Sequence, residues 1–329
     1  MIDKKVLESF DGKSALVTGG TGLIGRQVVD LLTAAGCQLK IVSLDKKQND
    51  NRHVYADLSH FDTCQSLTKR MDFVFHVAGV KGSIEVTKTK PASFLVPLLM
   101  MNTNVLEAAR INKVEKLVYV SSVGAYASAE VFKEDENEDG PPMDSFPGMA
   151  KRIAEQQIKA YKIQYGMDNF SIVRPANVFG PGDNFDPENA MVIPSLMHRI
   201  HNANGSPVSI WGDGSAIRDF AYSKDVAEGI ILALYHGTDS GFVNLGSGTG
   251  CSIKELVETL NSFIDFECYF DIEKPSGFPR RIMDISLAQK IIDYNPTTSL
   301  RDGLEETWNW FMSNTDEYLN KKNYFEETP

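Results

Sequence analysis

Short apolar runs alternate with amphipathic stretches through the first 175 residues of the chain. Five of these runs have the length and composition of buried strands: Ser14–Thr18, Leu39–Ser43, Phe73–Val77, Lys116–Val120 and Phe170–Arg174. Three of the intervening stretches have helical periodicity: Leu23–Ala35, Phe94–Ile111 and Ala150–Tyr165. Strands that alternate with helices at this spacing predict an α/β fold, a doubly wound parallel sheet with right-handed crossovers.

After Pro175 the alternation becomes irregular. The pattern there predicts, in order, the helix Met191–His201, the strands Pro207–Trp211 and Phe220–Tyr222, the helix Lys224–His236, the strand Phe242–Leu245, and the helices Ile253–Ile264, Leu287–Asp293 and Ser299–Met312. We expect Phe242–Leu245 to return to the main sheet. Residues 1–178 and about 219–247 then form the main domain, and about 179–218 and 248–329 form a smaller, discontinuous α/β lobe. Glu130–Pro142 is acidic and loop-like, which predicts a mobile insertion.

Composition narrows the classes of function. The 329 residues are 42% hydrophobic and 23% charged, which is ordinary for a globular protein. A net charge of −11 argues against a nucleic-acid-binding surface. The four cysteines are far apart and lack CxxC spacing, which favours free thiols over disulfides or a metal site. We see neither a membrane-length apolar run nor a signal region in Met1–Gly12, and so expect a cytoplasmic protein.

A glycine-rich turn follows the first predicted strand. Gly19, Gly22 and Gly25 form the pattern GxxGxxG between that strand and the first long helix. Glycine permits a tight turn and the close approach of a pyrophosphate, which then lies at the positive N-terminus of the helix. Because the motif stands in a repeated β/α pattern, it predicts a Rossmann-type dinucleotide site that also uses Leu23 and Ile24.

The end of the second strand should contact the adenine ribose. Asp45 is a candidate, since a carboxylate accepts hydrogen bonds from a free 2′-hydroxyl and repels a 2′-phosphate. Counting from Gly36 as in similar proteins places Ser43 there instead, and Lys46 and Lys47 could then meet a 2′-phosphate. The sequence therefore favours NAD and leaves NADP open. Further cofactor contacts are expected from Asp57, Leu58, Val77, Ala78 and Gly79.

Four stretches of the second half carry a family resemblance: NVFGPGDNF from Asn177, VIPSL from Val192, WGDG from Trp211 with RDF from Arg218, and KPSG from Lys274 with PRR from Pro279. With them the chain resembles, over nearly its whole length, the extended short-chain dehydrogenase/reductase family of nucleotide-sugar epimerases, dehydratases and ketoreductases. Within that family it is most similar to the GDP-fucose synthases. The resemblance implies an NAD(P)-dependent enzyme that acts by hydride transfer on a GDP-hexose-like substrate.

The resemblance also implies a substrate site in the smaller lobe. The implied contacts are Asn177, Val192, Leu196, Arg199, Trp211, Arg218 and Arg281, and Lys81 is a further candidate. Arginine meets a diphosphate with two parallel hydrogen bonds, and a tryptophan offers an aromatic face to a base or ribose. A single arginine is more often a surface ion-pair partner, but the agreement of several residues in order favours binding.

A serine and a lysine match the catalytic pattern of the family. The serine hydrogen-bonds the reacting oxygen and corresponds to Ser122, with Ser121 as an adjacent bystander. The lysine, which also holds the nicotinamide ribose, corresponds to Lys151; otherwise it would be a solvated lysine of a first helical turn. The same resemblance adds three cofactor contacts: Pro175, Asn177 and Val178.

At three positions where that pattern has a proton-transferring residue, this chain has a residue that cannot transfer a proton. Pro147 stands four residues before the lysine, where the family has its catalytic tyrosine. Gly124 and Met191 replace the cysteine and histidine that act as acid and base in fucose synthases. None of the three replacements can exchange a proton, so the fucose synthase reaction itself is not expected. Tyr126 and Lys81 are candidates for the missing group, although a tyrosine at position 126 is more often a packing residue.

Two functional hypotheses remain open at this point, beside a third in which the enzyme uses another oxidation site or substrate, for which Gly124 and Met191 leave extra apolar room. The first is a nucleotide-sugar enzyme with atypical proton transfer. The second is a catalytically impaired homologue that binds a dinucleotide or sugar nucleotide and serves as a sensor or subunit. Turnover on a panel of nucleotide sugars separates them.

The two longest predicted helices of the main domain, Phe94–Ile111 and Ala150–Tyr165, suggest a homodimer. In the family such a pair lies side by side and forms a four-helix contact between subunits. Leu98, Val105 and Ile158 are apolar positions on these helices. Periodicity alone assigns them equally to an interface or to the core.

Overall fold

The structure is a computed structural model that describes residues 2–45, 49–80, 82, 84–136, 138–186 and 189–315. In these residues the strands are β1 (Ser14–Thr18), β2 (Gln38–Ser43), β3 (His53–Tyr55), β4 (Phe73–His76), β5 (Lys116–Val120), β6 (Val131–Phe132), β7 (Phe170–Pro175), β8 (Asn177–Phe179), β9 (Val208–Trp211), β10 (Ile217–Arg218), β11 (Phe220–Tyr222), β12 (Phe242–Leu245), β13 (Cys251–Ser252), β14 (Cys268–Asp271) and β15 (Arg280–Met283). The helices are α1 (Lys4–Glu8), α2 (Leu23–Ala34), α3 (Phe61–Thr68), α4 (Ile84–Thr89), α5 (Ala92–Ile111), α6 (Ser145–Tyr165), α7 (Val192–Asn202), α8 (Ser223–His236), α9 (Ile253–Asn261), α10 (Ser286–Ile292) and α11 (Leu300–Ser313), with a 3-10 turn at Val123–Ala125.

The main sheet has seven parallel strands in the order β12-β7-β5-β4-β1-β2-β3. The five strands predicted before Pro175 all lie in it, with ends that differ by at most one residue. Strand β12 pairs with β7, so the predicted return of Phe242–Leu245 to the main sheet is confirmed. The predicted doubly wound α/β fold is confirmed as well.

Helices cover both faces of the main sheet. Helices α2 and α8 pack together on one face, and α3, α5 and α6 pack on the other. Val17, Val74 and Val118 are fully buried because strands covered on both faces present no side to water. Helix α6 begins at Ser145, five residues before the predicted start at Ala150, because Pro147 lies in its first turn, where the missing N–H costs nothing.

The smaller lobe is built from short strands and three helices. Strands β13, β10, β15 and β6 form a mixed four-stranded sheet, and β11 pairs with β8 and β14 with β9. Its core includes side chains of α7, α9 and α11 around Phe185 and Phe311, whose rings stack with centroids 4.4 Å apart. This lobe closes over the carboxyl ends of the main-sheet strands.

The acidic segment Glu130–Pro142 is tied to both parts of the fold. Strand β6 pairs with β15, and the Glu134 carboxylate accepts a hydrogen bond from the Asn244 backbone at 2.8 Å. The Glu138 carboxylate accepts one from the buried Arg174 at 2.6 Å. Contrary to the predicted mobile insertion, the described residues of the segment are held by ordered contacts, and three of these partners, Arg174, Asn244 and β15, lie more than thirty residues away in the sequence.

Helix α5 is, within the described residues, the one helix long and apolar enough to cross a membrane by length and composition. The expectation that the chain has no membrane-length apolar run is wrong for this helix. Its most apolar window is 44% buried inside the fold, and the helix packs against α3 and α6. We therefore describe it as a core helix of the sheet layer.

Leu98, Val105 and Ile158 belong to the core. All three are at most 1% exposed. The large apolar side chains that α5 and α6 leave exposed are different ones: Val96, Met100, Phe146, Met149 and Ile153, and near the ends of the helices Ile111, Ile163 and Tyr165. The alternative that assigned Leu98, Val105 and Ile158 to an interface is therefore wrong.

Candidate active site

A cavity of about 550 Å³ lies at the carboxyl ends of the main-sheet strands, beneath the smaller lobe. Loops after β1, β2, β4, β5 and β7 line it, as expected for a ligand site in an open α/β sheet. The cavity collects most of the predicted cofactor residues: Gly19, Gly22, Leu23, Ile24, Gly25, Asp57, Leu58, Val77, Ala78, Gly79, Lys151, Pro175, Asn177 and Val178. Among the described residues no cluster of three metal-ligating side chains exists.

The glycine turn is shaped by close backbone contacts. Gly19 has a φ of +67°, and a Cβ there would lie 2.7 Å from Cα of Ala78 on the neighbouring loop. A Cβ on Gly25 would lie 2.0 Å from the carbonyl oxygen of Gly19. Helix α2 starts at Leu23 after the N-cap Gly22, which provides no side-chain cap, and the first residues of the helix line the cavity with their N–H groups uncapped by a side chain. The turn thus fits a pyrophosphate at a helix N-terminus.

The end of β2 forms the predicted adenosine side. Ser43 and Leu44 line the cavity, and Asp45 lies next to them but outside the lining. The Asp45 carboxylate accepts a hydrogen bond from the Thr21 hydroxyl at 2.5 Å, which holds it beside the glycine turn. Asp57 lines the cavity and caps the Ser59 N–H at 2.8 Å. Lys46 and Lys47 lie outside the described residues.

Lys151 projects from α6 to the middle of the cavity. Its ammonium group donates to the Val120 carbonyl at 2.6 Å and lies 5.1 Å from the centroid of the Tyr119 ring. A Cβ on Gly79 would lie 3.5 Å from the same nitrogen. Burial lowers the pKa of Lys151 to about 8, although the nearby Glu155 opposes this shift. The lysine is therefore an ordered side chain of the cavity, not a solvated helix residue.

The two adjacent serines have different surroundings. Ser122 lines the cavity, and its hydroxyl oxygen accepts a hydrogen bond from the Gly124 N–H at 3.0 Å. Ser121 donates its hydroxyl hydrogen to the buried Glu155, which in turn pairs with Arg174. The hydroxyl of Ser122 is thus the one that remains available to a ligand.

Tyr126 lies in the core, outside the cavity. It is fully buried, and its hydroxyl donates to Oδ1 of Asn244 at 2.8 Å. The Arg174 guanidinium stacks 4.2 Å from its ring centroid, and burial raises its pKa far above the ordinary value. The hypothesis that Tyr126 replaces the missing tyrosine is therefore wrong. The other candidate, Lys81, lies outside the described residues.

Asp144 is a cavity residue that the sequence analysis missed. It precedes α6 and lines the cavity together with Pro147, Gly148 and Met191. Asp144 as a whole is exposed, but desolvation by the protein around its carboxyl raises the pKa of that group, while the charge of Arg281 acts in the opposite direction. An aspartate before a helix is a recognisable start signal, but the predicted helix began six residues later.

Two of the predicted substrate arginines lie side by side. Arg218 on β10 and Arg281 on β15 are Cα partners in a parallel pairing. Burial lowers the pKa of both, and for Arg218 the charge of Arg281 adds to the effect. In the described part of the chain neither forms a salt bridge, and Nε of Arg281 is buried without a hydrogen-bond partner. Such a pair suits an anionic ligand.

Of the predicted substrate residues in the described part of the chain, Asn177 lines the cavity, whereas Val192, Leu196, Arg199, Trp211, Arg218 and Arg281 do not. Arg199 donates to the Ser209 carbonyl at 2.5 Å, and Trp211 is 59% exposed with the Lys274 ammonium 5.9 Å from its ring centroid. Val192 is half-buried against the core of the lobe. Leu196 is 1% exposed within that core, so its predicted substrate contact is wrong: an apolar residue on the inner face of α7 packs instead.

The fold and the cavity define a dinucleotide-binding protein of the Rossmann type. Residues 15–246 match the model of the NAD dependent epimerase/dehydratase family, and the chain belongs to this family.

Individual relatives agree with this assignment. A probable GDP-L-fucose synthase 1 from Oryza sativa subsp. japonica is 32% identical over 315 residues, which cover 92% of this chain and 93% of that protein. A GDP-L-fucose synthetase from Naegleria fowleri bound to NADP has a TM-score of 0.82 and 25% identity, and covers 93% of this chain and 94% of that one. A UDP-glucose 4-epimerase from Thermotoga maritima, solved with UDP-glucose, has a TM-score of 0.80 and 25% identity. The match covers 92% of this chain and 99% of that one. The family resemblance of the sequence and its predicted NAD(P) dependence are confirmed.

Proposed function

We propose that this protein is an NAD(P)-dependent nucleotide-sugar enzyme of the epimerase, dehydratase or 4-ketoreductase type. It acts by hydride transfer on a GDP-hexose-like substrate, with atypical proton transfer. The observation that carries the proposal is the position of Arg281. Its charge acts on Asp144 in the cavity wall, and its Cα is in register with Arg218 on the next strand. An anion-binding pair outside the cavity lining therefore lies within electrostatic reach of the cavity wall, where it could bind the diphosphate of a nucleotide sugar.

Some residues of the cavity are proposed to bind the cofactor and others the sugar. The nicotinamide supplies the hydride chemistry when it is bound. The glycine turn holds the pyrophosphate, and Lys151, charged below a pH of about 8, holds the nicotinamide ribose. Ser122 presents its hydroxyl to the reacting oxygen of the sugar.

The names of the relatives support a proposal for the nucleotide of the substrate. Those named for GDP-L-fucose favour a GDP-linked sugar, and the one solved with UDP-glucose makes a UDP-linked sugar the alternative. The exposed ring of Trp211 offers a stacking face for either base. We further propose a homodimer formed through α5 and α6.

Turnover on a panel of GDP- and UDP-hexoses and their 4-keto-6-deoxy derivatives tests the proposal. Each sugar is incubated with NAD or NADP in both oxidation states, and the nicotinamide absorbance and the product mass or sugar NMR spectrum are followed. A product from at least one GDP-sugar is expected. Tight binding of cofactor and sugar nucleotide without any product would instead favour the catalytically impaired homologue.

The arginine pair has its own test. The variant Arg281→Ala should weaken binding of the nucleotide sugar by about 10- to 100-fold, because it removes a charged hydrogen-bonding group worth about 1.5–3 kcal/mol. The dissociation constant of the dinucleotide should not change. Arg301→Ala, on the exposed side of α11 beside Glu305, is the matched control and should leave both constants unchanged.

A further inference from the structure

The N-terminus of α6 is fixed against the 3-10 turn that follows the serine strand. The Asp144 N–H donates to the Gly124 carbonyl at 3.1 Å, and the Asp144 carbonyl accepts from the Gly148 N–H at 2.7 Å. A Cβ on Gly148 would lie 2.2 Å from the Gly124 carbonyl oxygen, so the two segments are in direct backbone contact. The backbone of Asp144 is therefore held in one place beside the cavity.

The absence of a side chain at Gly124 makes room for the Asp144 carboxylate. A Cβ on Gly124 would lie 2.2 Å from Oδ2 of Asp144 and 2.8 Å from its Cγ. The hydroxyl of Ser122 accepts a hydrogen bond from the N–H of the same glycine. The serine hydroxyl and the aspartate carboxylate thus converge on one residue at the cavity wall.

The Asp144 carboxylate is not used to stabilise the helix. Although Asp144 is the N-cap of α6, its side chain makes no capping hydrogen bond. Within the described residues the carboxylate makes no hydrogen bond or salt bridge at all, and only the charge of Arg281 acts on it. Both of its oxygens are available to a ligand.

The other carboxylates of the cavity lie elsewhere. Asp57 is on the adenosine side, where it caps a backbone N–H. Asp183 and Asp186 belong to the loop of the smaller lobe that lies over the start of α2, since a Cβ on Gly182 would lie 2.3 Å from the Arg26 guanidinium. On the wall formed by the serine strand and α6, the described ionisable side chains are Asp144 and Lys151.

We propose that Asp144 is the proton acceptor and donor of the hydride-transfer step, in place of the tyrosine that is missing at Pro147. In the oxidising direction the sugar C–H bond breaks and its hydrogen leaves with both electrons to the oxidised nicotinamide. The hydroxyl O–H bond on the same carbon breaks, its proton moves to the Asp144 carboxylate, and a C=O bond forms. Reduction returns both hydrogens, so that the carboxyl becomes a carboxylate again. This assignment rests on the proposed function.

The electrostatic surroundings suit a carboxylate that acts as a base. Desolvation by the surrounding protein raises the pKa of the Asp144 carboxyl, which makes it a stronger base than a fully solvated aspartate. From β15, Arg281 lowers the pKa and favours the ionised form. The 3-10 turn packed against it, Val123–Ala125, has no ionisable side chain, and Lys151 lies two helical turns further along α6. Oxidation should therefore increase with pH as Asp144 loses its proton.

The variant Asp144→Asn tests the role without changing the shape of the site. Turnover should fall about 10²- to 10⁴-fold, the usual contribution of a general acid or base, and the acidic limb of the pH profile should disappear. The dissociation constant of the dinucleotide and the thermal stability should stay unchanged, because the Asp144 side chain makes no capping hydrogen bond that the substitution could remove. Asp139→Asn, an exposed position of the acidic segment, is the control and should keep full turnover.

A second variant keeps the aspartate but displaces its carboxylate. In Gly124→Ala the new methyl group would lie 2.2 Å from the present position of Asp144 Oδ2 and force the carboxylate to move, so turnover should fall about 10²-fold, as for a catalytic group displaced by about 1 Å. In protein with ¹³C-labelled aspartate carboxyls, the resonance absent from Asp144→Asn should titrate above the exposed aspartates. Its midpoint should differ in Gly124→Ala.

The outcomes separate the two proposals. Full turnover by Asp144→Asn would overturn the role of Asp144 and leave the proposed function intact. Loss of dinucleotide binding together with turnover would also overturn it, in favour of a structural role. A wild-type protein that turns over no nucleotide sugar would overturn the proposed function, and with it this assignment.

Discussion

Arg174 and Glu155 form a fully buried ion pair directly behind the serine strand. Nε of Arg174 lies 2.9 Å from Oε1 of Glu155, and a second guanidinium nitrogen reaches the other carboxylate oxygen. The same glutamate accepts the hydroxyl hydrogen of Ser121, and the same arginine pairs with Glu138 of the acidic segment. One pair thus connects β7, α6 and the segment that precedes the site.

Replacing Glu155 by glutamine should destabilise the fold by about 3 kcal/mol. This is the lower end of the range for breaking a buried pair, because Glu138 still accompanies the uncompensated Arg174. Urea denaturation followed by circular dichroism measures the change. Glu136→Gln, which breaks an exposed pair with Lys133, is the control and should change stability little. Equal effects of the two variants would contradict the importance of the buried pair.

Lys151 should make dinucleotide binding depend on pH. Its pKa, lowered to about 8 by burial, means that it is charged below pH 8 and neutral well above it. Affinity for NAD should therefore fall by on the order of 10-fold as the pH rises through 8, since a charged hydrogen bond is lost. Calorimetric titration from pH 6.5 to 9.5 measures this, and Lys151→Met should bind weakly with no inflection. A wild-type affinity that is constant over this range would exclude the role.

The main sheet could be predicted because its signal is local. A buried parallel strand is a continuous apolar run, and a glycine turn between a strand and a helix is readable over eight residues. Ser122 and Lys151 were placed correctly in the cavity because family patterns fix their spacing from neighbouring motifs. Strands, turns and motif residues that depend on a single segment could therefore be predicted from the sequence.

Contacts between distant segments were not predictable in this way. The acidic segment looked mobile because its partners, Arg174 and Asn244, lie far along the chain. Tyr126 appeared to be a catalytic candidate because only the packed structure shows its hydroxyl bound to Asn244. Asp144 was not recognised as a cavity residue, because Pro147 and the following glycine placed the predicted start of α6 too late. Composition disfavours a helix there, although a first turn tolerates proline.

Asp45 should make the protein prefer NAD over NADP. The Thr21 hydroxyl holds the Asp45 carboxylate beside the cavity, next to Ser43, where a 2′-phosphate would meet a like charge. Asp45→Ser should improve the affinity for NADP relative to NAD by about five- to tenfold, the effect of about 1 kcal/mol of repulsion removed at the edge of solvent. Fluorescence titration with both cofactors measures the ratio. The exposed Asp62→Ser is the control, and a ratio unchanged by Asp45→Ser would contradict the prediction.

Helices α5 and α6 expose an apolar surface formed by Val96, Met100, Phe146, Met149 and Ile153. The spacing of four residues between Val96 and Met100, and between Met149 and Ile153, places each pair on one face of its helix. Because the two helices pack side by side, their exposed side chains form a patch suited to the same patch on a second copy.

We therefore expect a particle of twice the chain mass of 36.5 kDa. Ile153→Glu should convert it to a monomer, because a twofold axis would place two buried carboxylates close together. Light scattering after size-exclusion chromatography measures both masses. Ile272→Glu, at a 78% exposed position outside the patch, is the matched control and should leave the mass unchanged. A monomeric wild-type protein, or an Ile153→Glu protein that keeps the dimer mass, would show that this surface is not the subunit contact.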